Sequence, residues 1–157
     1  MIKSLMTLVV LLSLNAHAGT VKVAVTLSPA GSFVAKSEKG RGFVEKAGSK
    51  LTAKELTVEV GTLKTDIDLR DEHFQQRLGG PKAKVVLKNA QGENGKGTAT
   101  LVVNGKEKPV TFAFKESGSK VVARFAVKPS DFGISDVKYM GIGVEDKVVI
   151  DADFPVR

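Results

Sequence analysis

Ala99-Thr100-Leu101-Val102-Val103-Asn104-Gly105-Lys106-Glu107-Lys108-Pro109-Val110-Thr111-Phe112-Ala113-Phe114-Lys115 decides how the rest of the chain is read. Ala99, Leu101 and Val103 fall on one side of the first half, and in the second half Val110, Phe112 and Phe114 alternate with Thr111, Ala113 and Lys115. Successive side chains leave a strand on opposite faces, so a period of two marks a strand with one buried face. Between the halves stands Asn104-Gly105. Both residues tolerate the positive φ of a type I′ turn, and the stretch predicts an antiparallel hairpin.

The same alternation spreads outward. Downstream, Val121, Ala123, Phe125 and Val127 oppose Arg124 and Lys128, and a last strand from about Ile142 to Val156 turns Val148, Ile150, Ala152 and Phe154 inward. Pro129-Ser130-Asp131-Phe132-Gly133-Ile134, between them, reads as a structured loop with two apolar groups. Upstream, Val85 and Leu87 alternate with lysines until the polar connection Asn89 to Gly95. Near the start, Val21, Val23, Val25 and Leu27 form a first strand, and Ser32 to Ser37 with Gly40 to Lys46 a second, glycine-interrupted one. A third covers about Leu51 to Leu63. Counting the interrupted segment once gives about eight strands joined mostly by short turns. Closing so many amphipathic strands into an up-and-down barrel buries the apolar face and removes both edges, which an open sheet would expose. An immunoglobulin-like sandwich is the alternative, and a helical stretch within residues 65–80 and the lack of an internal tryptophan or cysteine pair weigh against it.

Thr65 to Gly80 breaks the rhythm. Ile67, Phe74 and Leu78 recur at helical spacing behind a Thr-Asp start signal and ahead of Gly79-Gly80, predicting one helix between the third and fourth strands. Thr65 or Asp66 is expected to cap it, Arg70 to bridge carboxylates, and Ile67, Phe74 and Leu78 to face inward, with at least one of Arg70 and Asp71 partly buried and paired between them. The stretch also holds the densest charge cluster and the only histidine beyond the N-terminal segment.

That N-terminal segment has the form of a signal peptide over residues 1–18, with Lys3, an apolar run from Leu5 to Leu14 and Ala16-His17-Ala18 as cleavage pattern. The run falls short of the roughly 20 residues a spanning helix needs. The expected mature domain is residues 19–157, exported to the periplasm. With no cysteine it must be held by its core alone. The net charge is +7, but the lysines are scattered singly, and one tyrosine and no tryptophan give no stacking platform, so nucleic acid is not an expected partner. Transient attraction to an anionic membrane surface is the more plausible use of the charge.

Thr65-Asp66 with Arg70-Asp71-Glu72-His73, the hairpin from Val102 to Val110, Ser130-Asp131-Phe132-Gly133-Ile134 and Gly143-Val144-Glu145-Asp146-Lys147-Val148 together resemble the YceI-like domain family of exported, lipocalin-like bacterial proteins. The order and spacing of these motifs run over nearly the whole of residues 19–157. The resemblance implies an eight-stranded antiparallel barrel whose cavity binds a long isoprenoid or other amphipathic lipid, with no metal and no established reaction. Two features depart from the family's pattern: the first strand lacks the usual Asp and His-Ser pair, and the segment after the helix is shorter.

An apolar barrel interior by itself reads as core; the resemblance turns it into a ligand cavity. Its expected contacts are Phe74, Phe112, Phe114, Phe125, Phe132 and Met140, with Asp66, Arg70, Asp71 and His73 meeting a head group or anchoring the helix. Long apolar ligands suit such a lining, because each methylene removed from water contributes about 0.8 kcal/mol. The competing readings are an enzyme acting on such a lipid through Arg70-Asp71-Glu72-His73, and a structural or stress-related partner protein. No catalytic residue, cofactor or metal is expected: one histidine beyond residue 18 and no cysteine leave only carboxylates as further ligands, and neither a G-x-S-x-G elbow nor a phosphate-cradling glycine loop is present.

Overall fold

The computed structural model describes residues 18–135, 137–139 and 142–157. The expected signal peptide, apart from its last residue, and Met140 lie outside the described residues. The strands are β1 (Gly19–Ser28), β2 (Ser32–Gly40), β3 (Glu45–Ala47), β4 (Lys50–Glu59), β5 (Lys84–Glu93), β6 (Lys96–Val103), β7 (Lys106–Ser117), β8 (Lys120–Val127), β9 (Lys138–Tyr139) and β10 (Ile142–Pro155). One α-helix, α1 (Asp68–Arg77), joins β4 to β5. All named pairings are antiparallel, in the order β2-β1-β10-β8-β7-β6-β5-β4-β3, with β9 beside β10.

The sheet curls until its ends meet. Lys36 and Lys64 exchange backbone hydrogen bonds of 2.8 and 2.9 Å, and Arg41 and Thr57 do the same at 2.8 and 2.9 Å. Val44 pairs with Val156 beside them. This seam gives the antiparallel barrel expected from the alternation, of the lipocalin-like kind that the resemblance implies, and satisfies edge groups that an open sheet would leave to solvent. The strand count rises because the glycine-interrupted second segment is two strands, β2 and β3, and because β9 is added. The helix therefore follows the fourth strand rather than the third.

Local readings hold or fail for identifiable reasons. Asn104 and Gly105 have φ of 54° and 74°, as a type I′ turn requires. The connection expected at Asn89 to Gly95 is instead mostly strand. Asn89, at φ 53°, is a bulge where the pairing with β6 slips, and the turn is only Asn94-Gly95. Before the bulge the inward side chains are Val85 and Leu87; after it Ala90 is buried. One extra residue flips which parity faces the interior, so the alternation looks as if it ends where it only changes phase. The strand expected to reach Leu63 stops at Glu59 and passes into a 3-10 turn, Val60–Thr62. That turn and the residue after it place Val60 and Leu63 among the most deeply buried side chains.

The hairpin ends divide the barrel into two poles. At one lie the β3–β4, β5–β6 and β7–β8 turns; at the other lie the β1–β2 and β6–β7 turns, α1 and the segment between β8 and β10. The scattered lysines, including Lys22, Lys54, Lys84 and Lys115, are exposed on the outer wall.

Candidate functional site

Helix α1 starts later than its start signal suggests. Asp66 takes φ 68°, Ile67 stands at the cap position, and no side chain caps the first turn. The expected Thr65 or Asp66 cap is replaced by an interaction in the opposite direction. The Asp71 carboxylate reaches back from the helix and accepts from the Thr65 backbone N–H at 2.6 Å and from the Thr65 hydroxyl at 2.5 Å. Both residues are 5 % exposed. Further along, Gln75 Nε2 donates to the Leu63 carbonyl at 3.2 Å. The buried face of the helix is thus polar, Asp71 and Gln75, and it docks on loop backbone that would otherwise be left without partners. The helix ends as Gly79-Gly80 predicts: both glycines have φ 100°, and their N–H groups bond the Gln76 and Gln75 carbonyls at 3.2 and 2.9 Å in a Schellman arrangement.

With its polar face on the loop, the helix turns its other face over the barrel. Ile67 and Leu69 are each 52 % exposed, a correction to the expectation that Ile67 is sealed inside. Phe74 is partly buried and meets Phe33 edge to face, centroids 6.1 Å apart. Beneath them a cavity of about 660 Å³ runs into the barrel. Its walls include Val21, Val23, Val25, Leu56, Val58, Leu87, Leu101, Val103, Phe125, Val148, Ile150 and Phe154. Phe132 and Ile134, from the loop after β8, line it at the helix pole, with Ile142 and Val144 of β10. Three of the four large apolar side chains that are exposed among the described residues, Ile67, Leu69 and Ile142, line this cavity and mark its mouth.

The expected contact residues divide. Phe74, Phe125 and Phe132 line the cavity, as do Arg70 and His73 at the helix. Phe112 and Phe114 do not; their ring centroids are 6.0 Å apart at the opposite pole, where Phe112 lies over Gly97 across the β6–β7 pair and Phe114 over Gly92. A Cβ on Gly97 would come within 2.3 Å of the Phe112 ring, so the glycine is what lets the ring lie flat against the wall. Asp66 is exposed and lies outside the lining, and Asp71 is committed to Thr65. Phe33, Leu63, Arg77 and Lys138 line the cavity without having been singled out as site residues. Phe33 sits in an alternating strand and could have been found there, whereas Arg77 and Lys138 are 61 positions apart and meet the same cavity only through the fold.

Arg70 does not bridge carboxylates. Its Nη2 donates to the Thr65 carbonyl at 2.7 Å, and its guanidinium carbon stands 4.6 Å from the centroid of the Phe33 ring. Its Nε is buried and has no hydrogen-bond acceptor among the described residues. Across the mouth, the loop carrying Phe132 is tied down by Asp146, whose carboxylate accepts from the Ser130 N–H at 2.9 Å and from its hydroxyl. Those bonds, the hydroxyl's first, hold the Asp146 carboxyl below its ordinary range. No group of three His, Cys, Asp or Glu side chains that could hold a metal ion occurs among the described residues.

Comparison with known proteins agrees with this architecture. The family model of the YceI-like domain matches residues 13–156. No curated protein matches the chain. Among solved structures, Burkholderia cenocepacia BcnA superposes with a TM-score of 0.61 at 17 % identity, covering 85 % of this chain and 94 % of that one. A polyisoprenoid binding domain from Saccharophagus degradans, implicated in plant cell wall breakdown, gives a TM-score of 0.58 at 13 % identity, covering 88 % of this chain and 93 % of that one.

Proposed function

The chain belongs to the YceI-like domain family, and from that premise we propose that it binds a long-chain isoprenoid or other amphipathic lipid in its barrel cavity and sequesters or carries it without chemical change. The observation that carries the reading is the cavity itself, about 660 Å³ with walls almost wholly of aliphatic and phenyl groups. A volume of this order is that of a small-molecule site, and its apolar lining suits a chain of methylenes or isoprene units, each contributing through removal from water. The exposed Ile67, Leu69 and Ile142 give the tail an apolar path inward. The polyisoprenoid named for the Saccharophagus neighbour is the same chemical class.

The non-catalytic reading is supported by Asp71. An enzyme using the helix cluster would need that carboxylate beside His73 in the cavity, but it is outside the lining and already accepts two bonds from Thr65. The signal-like N-terminus supports a periplasmic location, with the outer-wall lysines available for transient contact with an anionic membrane.

Filling the cavity tests the proposal. Ala152 is one of its wall residues. Ala152→Trp is expected to weaken binding of a polyprenol or long-chain lipid by about tenfold or more, equivalent to losing a few buried methylenes. Native mass spectrometry should find a copurifying lipid on the wild type and not on the variant. A wild-type chain that carries no lipid and takes up none from micelles would refute the reading.

A further inference from the structure

We infer that the cavity selects amphiphiles with an anionic head group, a phosphate or a carboxylate, and that Arg70 is the residue that recognises the charge. This rests on the lipid-binding reading above and adds the chemistry of the head to that of the tail.

A structural guanidinium below the surface normally has its donors matched and its charge answered by a carboxylate. Arg70 is half-buried; it gives one donor to the Thr65 carbonyl and its face to Phe33, while Nε is buried with no acceptor. The ion pairs among the described residues all lie elsewhere, at Lys36–Glu38, Lys46–Glu116, Lys88–Glu107, Lys120–Asp153 and Arg124–Asp151. Asp71, next in sequence, is turned to Thr65. The Phe33 ring and the Thr65 carbonyl therefore hold Arg70 in place without neutralising it.

Its position supplies the rest. Arg70 lines the cavity at the mouth, and Arg77 and Lys138 line the same cavity, whereas no aspartate or glutamate among the described residues does. A tail entering past Ile67 and Ile142 leaves its head among these cations. An anionic oxygen would supply the countercharge through the Nη donors not given to Thr65, adding ion pairing to the hydrogen bond that a neutral head could also make. A hydroxyl or ketone head would satisfy the donor and leave the charge unanswered.

Three ligands with one tail separate the possibilities: hexadecyl phosphate, palmitate and hexadecanol, each titrated against a neutral apolar dye bound to the full chain. At least one of the anions is expected to bind about tenfold more tightly than hexadecanol. Which anion leads distinguishes phosphate from carboxylate as the head. Arg70→Gln should bring that ratio below about threefold while hexadecanol affinity stays within about twofold. Lys54→Gln, on the outer wall, should leave the ratio unchanged and so control for net charge. If Arg70→Gln does not fold, the Arg77→Gln/Lys138→Gln pair at exposed positions carries the test, and should narrow the ratio by about threefold. Equal binding of all three ligands by the wild type would overturn the head-group inference and leave lipid binding standing, as would a preference that survives Arg70→Gln or, in its place, the double variant. Failure of all three ligands to bind would overturn the lipid reading and this inference with it.

Discussion

The two poles of this barrel are closed by different chemistry. At the pole of the β5–β6 and β7–β8 turns, rings press on strands: Phe112 on Gly97, Phe114 on Gly92, and Phe154 against Gly19 and Gly40. At the other pole the cover is α1, held by hydrogen bonds to loop backbone, with Ile67 and Leu69 left exposed. Apolar plugs are stable because nothing outside the protein improves on them. Polar ties holding an apolar-fringed element can be broken locally, because water replaces each bond in part. The difference teaches that one pole is plugged by rings on the wall itself, whereas the other is covered by an element tied on through polar groups, which is the construction of a lid.

The largest effect should come from breaking the plug. Phe154 is buried, and Phe154→Ala is expected to cost about 3–5 kcal/mol of global stability, measured by denaturant titration. Its loss also deepens the cavity, which Phe154 lines. If the variant unfolds no more easily than the wild type, the far pole is not core and the contrast between the poles fails.

A smaller, local effect should follow from cutting the lid. Asp71→Ala leaves the buried Thr65 N–H and hydroxyl without their acceptor, a cost of about 1–3 kcal/mol. Because these bonds tie the helix rather than the wall, amide exchange should accelerate across residues 65–78 and stay unchanged in β6, β7 and β8. Uniform acceleration would mean that the lid and the wall open as one unit, and the comparison would need redrawing.

The wall was legible in the sequence because alternation encodes it directly. Val21, Val23, Val25, Leu101, Val103 and Phe125 each point where a period of two puts them. Legibility failed where backbone geometry changes the phase. A bulge at Asn89 hid the second half of β5, and Phe112 and Phe114 face inward but at the wrong height, since alternation gives side and not depth. The helix was legible in part. Phe74 and Leu78 pack on the core as their spacing suggests and Asp71 is buried and paired, but Ile67 is exposed, and Gln75 finds its partner on a loop with no periodicity to announce it. Of the head-group cations Arg70 was in view, but Arg77 and Lys138 were not: they stand 61 positions apart, on α1 and beyond the loop that follows β8, and line one cavity only through the fold.

That loop offers the finest test, because the lid has a second half whose tie is exposed rather than buried. Pro129, Phe132 and Ile134 line the cavity, and Ser130 is bonded to Asp146 in β10. The Asp146 carboxyl is held below its ordinary value of 3.8 by the Ser130 hydroxyl first and its N–H second. A carboxyl whose folded pKa lies below the unfolded one stabilises the fold above the unfolded pKa, and loses that contribution as pH falls through the folded value. Acidification below about pH 4 should therefore loosen the segment 129–134 before it disturbs the wall. The Ser130 amide resonance should titrate with Asp146, lipid release should quicken over the same range, and Asp146→Ala should abolish the pH dependence of both. Release that quickens with acid equally in Asp146→Ala would assign the opening to α1 alone, and the lid would have one moving half instead of two.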